Sequence, residues 1–177
     1  YNLAGQSDVS KSFNLMSKTY MNNTIVPINI ISSVLKIEKK IKFFQASSCE
    51  IYGNVEGKIN EKFEYKPQSP YAHSKLIIHR QLQDLRRQKN VFASSAILFN
   101  HESPIRSINF VTRKITNFVA NYYFDKSIKL EIGNLNAKRD WGFAKDYVEG
   151  MWAMMQVDTP STYVLATNRT ETVRNFL

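Results

Sequence analysis

A chain of 177 residues, 43% hydrophobic and 22% charged, has globular proportions and can bury a real core. It contains no apolar run of about 18 residues, which argues against a membrane span, and no basic-then-apolar leader, so no signal peptide is expected and the cytoplasm is the default compartment. The single cysteine, Cys49, excludes an internal disulfide framework; the net charge of +9 sits in short runs at expected helix ends (residues 36–42 and Arg86-Arg87-Gln88-Lys89), which reads as solvated surface first, phosphate ligands second and nucleic acid a distant third.

The chain opens on Tyr1-Asn2-Leu3-Ala4, which reads as the end of a strand, followed by the polar turn Gly5-Gln6-Ser7-Asp8. A start this abrupt suggests a fragment cut at its N-terminus. Residues 17–39 read as a helical segment, with Pro27 kinking it or ending one helix and starting another. The mostly apolar run 41–47 reads as a buried strand, 53–70 as a loop, 71–89 as a helix and 91–99 as a second buried strand. After Phe99 come a loop with Pro104 and Arg106, a helix over 110–123, a strand near 127–132, a turn at Gly133-Asn134-Leu135-Asn136, a helix over 146–157 whose Trp and Met residues read as core, a short strand at 163–166 and a final helix capped by Thr172. Helices of this length between buried strands argue for a parallel α/β sheet, and ligands of such sheets bind beyond the carboxyl ends of the strands. The polar clusters there are residues 4–7, 47–50 and 100–102.

Three groupings can carry chemistry. Tyr71 and Lys75 lie four apart on a helix and so on one face; an ammonium beside a phenol favours the phenolate, which can act as base and then acid near neutral pH. Ser48 and Glu50 follow a strand, where a carboxylate can take a proton from carbon and a hydroxyl can bind a substrate oxygen; the plainer reading is a strand-end turn capped by Ser48. Asn100-His101-Glu102-Ser103-Pro104 follows the next strand with Arg106, Arg113, Lys114 and Arg139 around it in sequence, cations suited to pyrophosphate or simply to the surface. Cys49 reads as a small buried hydrophobe, and His79 as a surface residue. His73, His79 and His101 lack metal-ligand spacing, so no metal is expected. None of the six glycines falls in a G-x-G-x-x-G array.

With these residues in place, the chain resembles the extended short-chain dehydrogenase/reductases, and within them the GDP-mannose 4,6-dehydratase family. The resemblance runs through Tyr1-Asn2-Leu3-Ala4 with Gln6-Ser7, Phe44-Gln45-Ala46-Ser47, Glu50-Ile51-Tyr52-Gly53, Ser69-Pro70-Tyr71-Ala72 and Ile97 to Pro104. It continues through Phe110-Val111-Thr112-Arg113-Lys114-Ile115, Gly133-Asn134-Leu135 and Lys138-Arg139-Asp140-Trp141-Gly142.

The resemblance implies a Rossmann-type doubly wound parallel sheet lacking its N-terminal part, over residues 1–100, and part of a small α/β substrate-binding region interleaved with the last Rossmann elements over 101–177. It implies a redox-neutral dehydration of GDP-mannose that uses bound NADP and yields GDP-4-keto-6-deoxymannose, a precursor of GDP-fucose and other deoxyhexoses. Tyr71 and Lys75 would serve the hydride steps; Glu50 would remove the C5 proton, with Ser48 assisting loss of the 6-hydroxyl. Leu3, Ala4, Gly5, Gln6, Ser7, Lys75, His101 and Arg106 fall on cofactor-contacting positions, and Asn100, Lys114 and Arg139 on GDP-mannose positions. A homo-oligomer is implied for the parent protein, with no membrane or nucleic-acid partner, and the 177 residues alone are expected not to turn over, having no glycine loop for the pyrophosphate. Lys18, Pro27 and Ile105 depart from the family pattern. The alternatives are another sugar-nucleotide epimerase or reductase, or a non-catalytic sugar-nucleotide-binding subunit; epimerases of the superfamily usually lack the Glu at the position of Glu50.

Overall fold

The computed structural model describes residues 1–37, 40–89 and 91–177. They divide into two compact units: Tyr1–Leu98 with Glu149–Leu165, and Phe99–Val148 with Ala166–Leu177.

The first unit is built on a parallel sheet in the order β1 (Phe43–Ala46), β2 (Ala93–Leu98), β5 (Thr162–Leu165). All four residues of β1 and all six of β2 are buried, as both-face coverage of a parallel sheet requires. The expected opening strand is reduced to one parallel bridge, Asn2 to Gln45, reinforced by a side-chain hydrogen bond from Asn2 Nδ2 to Gln45 Oε1 of 2.8 Å. Helix begins earlier than expected, with α1 (Val9–Asn14), and the expected helix over 17–39 is a composite of α2 (Met16–Tyr20), a π-turn (Met21–Ile25) and α3 (Val26–Ile37), with Glu38 and Lys39 outside the described residues. Pro27 ends nothing. It sits in the first turn of α3, where a missing N–H is tolerated, and the break falls in the π-turn just before it. After β1 a short 3₁₀ helix (Cys49–Tyr52) leads into the loop, and α4 (Pro70–Lys89) follows. Ser69 caps α4, its Oγ accepting from Ala72 N at 3.1 Å, and Pro70 takes the first helical position. Ile31, Phe43, Ile78, Leu82, Val91 and Ala93 form the core between α3, α4 and the sheet.

Two assignments on α4 are corrected. His79 is fully buried, not on the surface, because Tyr65 Oη and Gln83 Nε2 reach its Nε2 at 3.1 and 3.2 Å and Ser95 Oγ reaches its Nδ1 at 3.4 Å. Arg86 is no solvated helix end. Its guanidinium turns back to Ala93 O at 2.8 Å and Thr162 Oγ1 at 2.9 Å.

The second unit holds β3 (Asn100–Glu102), β4 (Lys138–Phe143) and β6 (Thr170–Thr172), with β3 parallel and β6 antiparallel to β4. The helix over 110–123 is α5 (Val111–Tyr122). No strand forms at 127–132. Asp125 Oδ1 instead takes both the backbone N–H and the hydroxyl of Ser127, fixing a turn there, and the ladder partner of β3 is the later run Lys138–Phe143. The boundary between units falls within α6 (Ala144–Met154). Met151, Met154 and Met155 are buried as expected, whereas Trp152 is 62% exposed. Thr172 caps α7 (Val173–Phe176), accepting from Asn175 N at 3.0 Å. Among the described residues no helix is long and apolar enough to cross a membrane.

Candidate active site

Tyr71 and Lys75 stand in the first two turns of α4, and both are largely buried. Lys75 Nζ lies 5.9 Å from the centre of the Tyr71 ring and donates to the carbonyl of Ala46, the last residue of β1, at 3.0 Å. Burial pulls its pKa down from 10.5 to about 8, since a charge removed from water is disfavoured. Two residues beyond Ala46, Ser48 caps the 3₁₀ helix, its Oγ accepting from Glu50 N at 3.3 Å. The cap uses a lone pair and leaves the hydroxyl proton for another acceptor. Ile51 and Tyr52 point into the core, so the same short turn leaves Glu50 half-buried beside the strand end. Cys49 is likewise half-buried rather than interior.

The loop of residues 3–7 converges on the same corner. A Cβ on Gly5 would lie 2.6 Å from Asn23 Oδ1 and 3.8 Å from Lys75 Nζ, so only glycine lets the backbone pass. Gln6 Oε1 and Ser47 Oγ are buried there without a partner among the described residues. An ammonium with N–H groups to spare, an orphan acceptor and an orphan hydroxyl suit a ribose and carboxamide, so this corner fits the nicotinamide end of the implied cofactor. Leu3 and Ser7 are exposed, as is Ala4.

The remaining implied residues belong to the second unit. His101 Nδ1 donates to Phe99 O at 2.8 Å, which leaves Nε2 as an acceptor, and the ring stacks on Tyr147 with centroids 5.1 Å apart. Asn100 is half-buried on β3, while Lys114 and Arg139 are exposed cations. Arg106 is already engaged: its Nε lies 3.2 Å from Glu102 Oε2, as an ion pair without an aligned hydrogen bond, and its guanidinium sits 3.4 Å over the Phe110 ring. Ile105 is 92% exposed. Among the described residues no cluster of His, Cys, Asp and Glu could hold a metal ion.

Sequence reasoning missed two buried polar residues. Asn23 on the π-turn bonds both backbone atoms of Gln6, and Ser74 bonds the carbonyl of Tyr71. No spacing rule points to Asn23, because the π-turn adds a residue and breaks the 3.6 period. Asp140 was legible only as part of a motif; its carboxylate binds Thr167, a contact made by folding.

A helix-borne Tyr-x-x-x-Lys pair beside a polar strand end, on a parallel sheet, defines a chain of the short-chain dehydrogenase/reductase class. Solved structures of that fold superpose closely: the RMD protein of Pseudomonas aeruginosa, complexed with NADPH, matches 98% of this chain and 61% of its own with a TM-score of 0.91 at 22% identity. The profile of the GDP-mannose 4,6 dehydratase family matches residues 1–177. The GDP-mannose 4,6 dehydratases of Drosophila melanogaster and Homo sapiens are 46% and 43% identical over 100% of the chain, which covers 46% and 48% of their lengths. The chain belongs to the GDP-mannose 4,6-dehydratase family, and it spans about half the length of the curated relatives it matches.

Proposed function

We propose that this chain carries the acid–base machinery of an NADP-dependent GDP-mannose 4,6-dehydratase. Family membership over the whole chain supports the substrate, and the NADPH held by the RMD protein, whose fold is shared, supports a nicotinamide cofactor. The observation that carries the reading is the Lys75 to Ala46 hydrogen bond, which sets the Tyr71–Lys75 pair at the strand end bearing Ser48 and Glu50.

Lys75, Gln6 and Ser47 would hold the nicotinamide end of the cofactor, which when bound supplies reversible hydride acceptance. Tyr71, on the same helix face as the Lys75 ammonium, takes the proton of the sugar 4-hydroxyl as general base. A ketone at C4 acidifies C5–H, and the Glu50 carboxylate takes that proton. Glu50 passes that proton to the departing 6-hydroxyl, which leaves as water, while the Ser48 hydroxyl, its lone pair engaged by the cap, hydrogen-bonds to the same oxygen. Lys114 and Arg139 supply cations for the diphosphate, with Asn100 on β3 as a further polar contact. Residues 1–177 contain no G-x-G-x-x-G loop, so product formation is expected of the full-length protein and not of these residues alone.

The test is Glu50→Gln in the full-length protein. Formation of the 4-keto-6-deoxy product should fall by about 10²–10⁴-fold, with NADP and GDP-mannose binding retained. A variant that still turns over at the parental rate would point instead to an epimerase or reductase.

A further inference from the structure

The π-turn carries two buried polar side chains of the first unit, Asn23 and Thr24, at 1% and 4% exposure. Asn23 reads the backbone of the loop at residue 6 twice: its Oδ1 accepts from Gln6 N at 2.8 Å and its Nδ2 donates to Gln6 O at 3.0 Å. The same Nδ2 donates to Ser74 Oγ at 3.2 Å, and the fully buried Ser74 hydroxyl donates to Tyr71 O at 2.7 Å. Neither residue is part of the proposed proton-transfer set. Together they form an unbroken hydrogen-bonded path from the loop to the first turn of α4.

Direction matters along this path. Because Asn23 donates into Ser74 Oγ, the serine proton is left for Tyr71 O, and the hydroxyl rotor is fixed. The first turn of a helix is where fraying begins, so a bond onto the Tyr71 carbonyl steadies the residue that bears the phenol. Asn23 is held to the loop by two bonds and to Ser74 by one longer bond, so any shift of the loop moves Asn23 with it. We propose that Asn23 and Ser74 are positioning residues that tie the placement of Tyr71 and Lys75 to the state of the loop of residues 3–7. Seating of a ligand on the loop thereby sets the first turns of α4 for proton transfer. This rests on the reading of that loop as the cofactor seat.

Ser74→Ala separates positioning from packing. Alanine is the better helix former, so a merely structural serine predicts a well-folded, near-normal variant. The measurement is amide hydrogen exchange over residues 71–78 in the full-length protein, with and without NADPH, alongside NADPH affinity and kcat. In the parent protein NADPH should slow exchange there by about 10-fold or more. Ser74→Ala should keep NADPH affinity within about twofold, lose that added protection and lower kcat by about 10-fold. Asn23→Ala should lose the protection and also weaken NADPH binding by about 10-fold. Thr24→Val, which removes only the Thr24 Oγ1 bond to Ser74 O of 2.9 Å, should keep the protection and serves as the packing control. Ser74→Ala with intact NADPH-induced protection and parental kcat overturns the proposal. Failure of the cofactor reading shows separately, as no NADPH binding to the parent protein; NADPH that binds yet leaves exchange over residues 71–78 unchanged also overturns the proposal.

Discussion

Lys75 Nζ donates to the carbonyl oxygen of Ala46 across 3.0 Å, and this bond joins the start of α4 to the end of β1. It sets a buried ammonium near the Tyr71 phenol and fixes how α4 meets the turn that presents Ser48 and Glu50. The site therefore depends on a charge in a place that disfavours charge.

That tension predicts opposite effects on activity and stability. With a folded pKa lowered from 10.5 to about 8 by burial, Lys75 loses its proton above about pH 8, so kcat/KM should fall on a limb near pH 8. For stability, the charged form is the one disfavoured in the folded state. The cost is therefore present below about pH 8 and disappears as pH rises from 8 to 10.5. Lys75→Met should abolish turnover yet raise stability at pH 7 by on the order of 1–2 kcal/mol, since about 3 kcal/mol of charge burial is relieved and the Ala46 carbonyl loses a donor. Urea unfolding of the ligand-free protein reads the gain. A loss of stability would mean that the ammonium is better solvated than its burial indicates.

Gly5→Ala tests the convergence of the loop on Asn23. The added Cβ would meet Asn23 Oδ1 at 2.6 Å, and Asn23 cannot retreat without giving up its bonds to Gln6. The expected result is a loss of about 1–3 kcal/mol in stability and a cofactor affinity lowered by at least about 10-fold. Fluorescence titration with NADPH measures the second effect, and unchanged affinity would show that the loop yields freely.

Much of this site was readable before folding because its residues lie close in sequence on simple elements. Tyr71 and Lys75 are a helical i, i+4 pair, Ser69-Pro70 is a cap followed by a first-turn proline, and Ser48 and Glu50 follow a plainly apolar strand. What stayed hidden was non-local or aperiodic. The π-turn shifts the helical register, so a 3.6 period does not mark Asn23 as facing inward, where it lies. His79 read as surface because the groups that satisfy it, Tyr65 and Ser95, are 14 and 16 residues away. The alternating apolar residues Ile128, Leu130 and Ile132 read as a strand, yet β3 and β6 both pair with the later, more polar run Lys138–Phe143. Pattern alone does not choose between two runs that could fill one edge.

His79 should make the fold acid-sensitive. Burial, with Arg86 and Arg80 nearby, lowers its pKa from 6.5 to about 4. The neutral tautomer with its proton on Nδ1 donates to Ser95 Oγ and accepts at Nε2 from Tyr65 and Gln83; a second proton at Nε2 opposes both donors. The group is neutral in both states above pH 6.5, so its contribution is fully present there. It is lost as pH falls from 6.5 to about 4, because only the unfolded chain takes the proton. The loss amounts to about 3 kcal/mol, and His79→Gln should flatten that part of the stability profile relative to the parent chain. Parallel profiles for parent and variant between pH 4 and 6.5 would exclude His79 as the source.

Asp140 closes a turn of the second unit beside Arg139, the cation proposed above to meet the diphosphate. It is 7% exposed on β4, next to Arg139, and its carboxylate takes three contacts from one residue: Thr167 N at 3.0 and 3.1 Å on its two oxygens, and Thr167 Oγ1 at 2.8 Å. These bonds close the turn in which Asn168 adopts φ 62°, a left-handed conformation that asparagine tolerates better than most residues. Asp140→Asn keeps the shape but has a single acceptor oxygen and sets an amide N–H₂ against the Thr167 N–H. It should cost about 1–3 kcal/mol, concentrated in faster amide exchange at residues 167–169. Thr167→Val removes only the hydroxyl contact and should cost about 1 kcal/mol. Since the two changes strike the same bonds, the double variant should fall short of the sum by about 0.5 kcal/mol or more. If Arg139 binds the diphosphate, loosening its strand should also raise the Kd for GDP-mannose without moving that for NADPH. Strict additivity of the two losses would mean that Asp140 is held by groups other than Thr167.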